Sequence, residues 1–115
     1  MKARLPQGYG GGGAQNMNAM ILKAQKMQEQ MKVKQDELNE REFKAASGGG
    51  AVEVTMSGKK EMTNIVISPD VVDPDDIEML GDLIMAAVNE AIRTVDDATS
   101  AEMEKITGGL NLPGM

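Results

Sequence analysis

Lys23, Lys26, Lys34 and Arg41 fall in one stripe when the chain is plotted at roughly 100° per residue, and Lys59 and Lys60 stand together after a serine and a glycine. Ammonium and guanidinium groups spaced along one surface hold anions by charge and hydrogen bonding, and phosphate is the anion they suit best. The plain alternative for such a stripe is a solvated helix face. Other chemistry is scarcer still. Cysteine and histidine are both absent, which removes thiolate nucleophiles, imidazole bases and the commonest transition-metal ligands. No catalytic residue, cofactor or metal site is expected, and no small-molecule substrate is implied.

Three patterns imitate ligand sites and fail on context. Gly8, Gly10 and Gly13 satisfy G-x-G-x-x-G, but no strand precedes them and no helix is signalled at their end. Ser57-Gly58-Lys59-Lys60 shares only a Gly-Lys pair with a phosphate loop and reads as a hairpin turn. Asp70, Asp73, Asp75, Asp76 and Glu78 could offer oxygen ligands to a hard cation, yet Pro74 interrupts them and the glycine of a calcium loop is missing. Helix capping explains them better.

These cations must be carried by a small scaffold. The 115 residues are enough for one domain, with 41% hydrophobic and 26% charged residues. Tyr9 and Phe43 are the only aromatics, so the eleven methionines and the aliphatic residues must form the core and seams. Net charge is −6, but residues 1–60 sum to +4 and residues 61–115 to −10. That asymmetry hints at one basic face. No stretch approaches 18 apolar residues and the N-terminal residues lack the apolar run of a secretory signal, so a cytoplasmic protein without a membrane partner is expected.

Residues 1–16, with Gly10 to Gly13 unbroken, read as a disordered glycine-rich tail, residues 17–109 as one domain, and residues 110–115 as a second short tail. A first helix capped by Asn16 or Asn18 runs to about Arg41. Along it Met17, Met20, Ala24, Met27, Met31, Lys34 and Leu38 step by alternating threes and fours, the spacing of a coiled-coil seam. Such a helix spans roughly 39 Å at about 1.5 Å per residue, longer than this chain's own core can cover, so a second copy is the expected partner. The candidate dimer contacts are Met20, Ala24, Met27, Met31 and Leu38, joined by Ile84 and Val88 of a second helix.

Period-two alternation then predicts three strands, 42–47, 51–57 and 61–68, joined by a turn at Gly48 to Gly50 and by the Ser57–Lys60 turn. Pro69 closes the sheet. Asp73 is the expected cap of the second helix, with Pro74 in its first turn and apolar positions from Ile77 to Val95; Thr94 to Ser100 is the weak stretch where a break is conceivable. The fold class is α+β: an α-β-β-β-α protomer whose three-stranded antiparallel meander is flanked by two long helices, in a homodimer.

The order of motifs resembles the YbaB/EbfC family of bacterial nucleoid-associated proteins from Asn16 to the C-terminus. It comprises Lys23-Ala24-Gln25-Lys26-Met27-Gln28, then Val52-x-Val54-x-x-x-Gly58, Ile65-x-Ile67-x-Pro69, Asn89-x-Ala91 and Thr107-Gly108-Gly109-Leu110-Asn111-Leu112-Pro113-Gly114. The resemblance implies a homodimer in the cytoplasm and nucleoid that binds DNA, alters its conformation and contributes to nucleoid organisation and gene expression, with no cofactor and no reaction. The chain departs from the pattern in Gly81, where similar chains carry an acid, and in its longer glycine-rich leader. The family has no compact binding motif, so the DNA contacts named, Lys23, Lys26, Lys34, Arg41, Lys59 and Lys60, rest on charge geometry. With so few aromatics to stack bases, double-stranded DNA held by its phosphates is the expected partner. The rival reading is a small acidic chaperone or adaptor that binds proteins through its methionine-rich helices.

Overall fold

The computed structural model describes residues 4–108, with side chains described from Asn16 onward. Helix α1 spans Arg4–Glu40, strands β1, β2 and β3 span Glu42–Ser47, Val52–Ser57 and Met62–Ile67, and helix α2 spans Ile77–Thr107. The strands lie in the order β1-β2-β3, both pairings antiparallel, so the protomer is the expected α+β arrangement. The predicted tail at 110–115 lies outside the described residues.

Strand registers follow the alternation in the sequence. Phe43 pairs with Met56, Ala45 with Val54 and Ser47 with Val52, which puts every large apolar side chain of β1 and β2 on one face. Across the other pairing Val54 meets Ile65 and Val52 meets Ile67, with a bulge at Thr55 and Met56. Phe43, Ala45, Val52, Val54 and Met56 form the core with Ala87, Ala91 and Val95 of α2 and Leu38 of α1. Alanines on α2 let its backbone approach the sheet closely.

The β1–β2 turn explains its three glycines. Gly48, Gly49 and Gly50 all have positive φ, 60°, 66° and 98°, in the left-handed region that side chains avoid. The turn is tied to α2 by the Ser47 hydroxyl, which donates to the Leu83 carbonyl at 2.6 Å.

Two sequence expectations are corrected at helix ends. Asn16 and Asn18 cap nothing, because α1 already begins at Arg4 and both lie within it. Asp73 does not cap α2: its carboxylate accepts from the Asp75 N–H at 2.9 Å in a local turn, and Asp76 is the cap, accepting from the Met79 N–H at 3.2 Å. Pro74 therefore precedes α2 instead of opening it. Of the two alternatives left open for the second helix, the continuous one is found, α2 running unbroken through Thr94 to Ser100. Val95 is fully buried there and Ala98 packs against the core, so burial holds the weak stretch in the helix.

The chain is far from compact. Its radius of gyration is 24.1 Å, against about 13 Å for a compact domain of this length. The excess comes from α1, which lies against the rest of the protomer from about Lys26 to its C-terminal end and otherwise projects.

Candidate nucleic-acid interface

The six cations singled out from sequence are treated unequally. Lys23 lies on the projecting part of α1 and Lys26 at the outer end of its cleft with α2, both exposed, three residues apart and therefore on neighbouring positions of one helix surface. Among the described residues neither has a carboxylate within salt-bridge distance, and the same holds for exposed Lys59 in the β2–β3 turn. The other three are paired. Lys34 Nζ lies 2.9 Å from Glu37 Oε2 and 3.4 Å from Glu102 Oε1 of α2. Arg41 pairs with Glu37 and lies over the Phe43 ring, 5.9 Å from its centroid. Lys60 Nζ lies 2.6 Å from Asp96 Oδ1 of α2.

These contacts change how the groups hold protons. Hydrogen bonds from Lys34 and Arg41 hold the Glu37 carboxyl below its ordinary range, and those from Lys105 and Lys34 do the same for Glu102. The Lys34 ammonium is raised in turn, chiefly by Glu37 and then by Glu102. Lys26, Glu29, Lys34 and Glu37 of α1 and Glu102 and Lys105 of α2 line a cleft of about 700 Å³, whose apolar wall is Val33 and Ile106.

The β2–β3 turn delivers Lys59 and Lys60 by an unusual backbone. Lys60 has φ 64°, the left-handed conformation, at a cost of roughly 1–2 kcal/mol for a residue with a Cβ. Its N–H donates to the Ser57 carbonyl at 2.9 Å, closing the turn. Gly58 is required for a different reason: a Cβ there would overlap the Leu38 carbonyl, so the turn lies directly against the last turn of α1. One bare position thus brings the turn lysines beside the base of the projecting helix.

The candidate seam divides along its length. Met20 is 68% exposed and Ala24 is exposed, Met27 and Met31 are half-buried, and Leu38 is completely buried within its own protomer. Leu38 has no surface left for a second copy, because it packs into the sheet–helix core. Ile84 and Val88 are half-buried at the margin of that core. Sequence reading missed the apolar surface of β3, where Met62, Ile65 and Val66 are all exposed and no charged residue interrupts the strand. Its signal was present in the uncharged run from Met62 to Ile67.

Residues 12–110 match the model of the YbaB/EbfC DNA-binding family. A nucleoid-associated protein of Clostridium novyi is 59% identical to this chain over 92% of it and 93% of the relative. One from Clostridium acetobutylicum is 56% identical over 94% and 96% of the two chains. The fold is shared with the crystal structure of the uncharacterized protein HP0035 from Helicobacter pylori, at a TM-score of 0.57 and 20% identity, over 68% of this chain and 90% of that one. With an α-β-β-β-α protomer and a family model covering all but its ends, the chain belongs to the YbaB/EbfC DNA-binding family.

Proposed function

We propose that this chain is a nucleoid-associated protein that binds double-stranded DNA as a homodimer in the bacterial cytoplasm, alters the conformation of that DNA and so contributes to nucleoid organisation and gene expression. The observation that carries the reading is the pair of uncommitted lysines on the projecting helix, Lys23 and Lys26, in a member of a DNA-binding family. Free ammonium groups on an exposed rod can reach phosphates without disturbing the core, and each contact releases counterions. Lys59 extends the basic surface, and Lys34, Arg41 and Lys60 flank it. Duplex is favoured over single strands because Phe43, the one aromatic side chain described, is buried in the core and cannot stack on a base.

The homodimer is supported by the apolar surface that one protomer leaves uncovered. Met17, Met20, Ile21 and Leu22 on α1, Met62, Ile65 and Val66 on β3, and Ile77 and Met85 on α2 are all exposed, more than isolated surface residues account for. Met20, Ala24, Met27 and Met31 of α1, with Ile84 and Val88 of α2, are the proposed contacts between copies. Two-fold symmetry would double each basic surface.

Duplex binding measured across a salt series tests the reading. Affinity should fall steeply with salt, and replacing Lys23 and Lys26 by Gln should reduce the log–log slope by roughly three to four for a dimer losing four phosphate contacts, while sedimentation still reports a dimer. No duplex binding even at low salt overturns the proposal and leaves the chaperone or adaptor reading in front.

A further inference from the structure

Two of the six cations are held by carboxylates of a different element, and both of those carboxylates belong to α2. Lys34 reaches from α1 to Glu102, and Lys60 reaches from the β2–β3 turn to Asp96. The other ion pairs among the described residues join neighbours within four positions in sequence. We propose that α2 acts as an internal stand-in for phosphate: Glu102 and Asp96 occupy Lys34 and Lys60 in the free protein, and a bound duplex must displace them. The inference rests on the DNA-binding reading above and concerns how strongly that surface binds.

The chemistry of the exchange is balanced, one oxyanion replacing another on each ammonium. The pairs are open to it. Side-chain exposures are 32% and 20% for Lys34 and Glu102, and 47% and 52% for Lys60 and Asp96, so solvent and a polyanion can approach both. Partly exposed pairs of this kind contribute little to folding, which makes them poor as structural ties but effective as competitors: Lys60 must give up its one carboxylate to take phosphate, and Lys34 one of its two, Glu37 staying 2.9 Å away on α1. The competitors also remain nearby once displaced, where their charge opposes phosphate. Lys23, Lys26 and Lys59 carry no such competitor among the described residues, so the surface has an always-available part and a guarded part.

The test compares D96N/E102Q with D97N/E104Q on one duplex over a range of salt. Both variants remove the same charge from α2, but Asp97 and Glu104 have no cation partner among the described residues. D96N/E102Q should bind roughly tenfold or more tightly than the native chain at low salt, with a log–log slope steeper by up to about one for each lysine relieved, Lys60, Lys34 and also Lys105, which shares Glu102. D97N/E104Q should give a smaller gain at nearly unchanged slope. In addition, K34Q should cost more affinity in the E102Q background than in the native one, a coupling that a general charge effect does not produce. Thermal melts confirm that each variant is folded. Equal behaviour of the two double variants overturns the exchange while leaving DNA binding intact. No binding by the native chain or by any variant overturns both readings.

Discussion

The last turn of α1 and the rest of the same helix both carry apolar side chains on the seam, yet the protomer uses them in opposite ways. Leu38 is wholly buried against the sheet and α2, whereas Met17, Met20, Ile21 and Leu22 are all more than half exposed. Met27 and Met31 fall between. Apolar character alone therefore does not decide burial here; placement does, because the sheet and the 31-residue α2 lie beside only the C-terminal part of the 37-residue α1. The buried end fixes direction, and the exposed end presents lysines and methionines to whatever comes.

The largest effects should come from the buried end. Gly58→Ala forces a methyl group into the Leu38 carbonyl, which is backbone and cannot swing aside, and should destabilise the fold by at least about 3 kcal/mol in urea titration. Leu38→Ala should cost about 3 kcal/mol through lost burial and a residual cavity. If either proves neutral, the last turn of α1 is not anchored as described. A smaller change of opposite sign is expected in α2, where Gly81 lies in a continuous helix with open space around its Cα. Gly81→Ala should stabilise by roughly 1 kcal/mol. At the exposed end, Met20→Gln should change protomer stability by no more than about 0.5 kcal/mol while weakening self-association in sedimentation, so a large folding loss would erase the contrast.

The pH dependence sharpens the boundary between the two ends, where Lys34 joins α1 to α2. Glu102 and Glu37 have depressed pKa values when folded, so their contribution is present above the ordinary carboxylate range and is lost as pH falls through the depressed values. The Lys34 shift has the opposite sign: its contribution is present below the ordinary lysine range and is lost as pH rises through the raised value. E102Q should remove Glu102's small contribution at neutral pH and, by the same amount, the acid-side loss. An unchanged acid limb would show that this contact does not link the helices in solution.

Much of the architecture was legible because its signals are local. Alternation placed β1 correctly at 42–47 and the other strands within one residue of their ends. Three adjacent glycines marked a turn that only glycine can make. The cap of α2 was misplaced by three residues because Asp73-Pro74 is a strong helix-start signal, but Asp73 serves a local turn and an equally suitable acid follows at Asp76. The surface was only half legible. Periodicity grouped Lys23, Lys26, Lys34 and Arg41, but no spacing rule connects Lys34 to Glu102 or Lys60 to Asp96, since those pairs form only when α2 folds back over the sheet. Leu38 failed for a related reason: heptad spacing treats a helix as a rod with one seam, and here that line passes from free surface into a protomer core.

The contact between Gly58 and the Leu38 carbonyl also sets a mechanical scale. Lys23 lies about 22 Å along the helix axis from that pivot, at about 1.5 Å per residue, so a tilt of only about 10° at the base would carry its ammonium sideways by about 4 Å. A glycine near the middle of the chain thereby governs the aim of charges at the far end of a lever, and slight remodelling of one tight turn would retune the grip of the whole molecule.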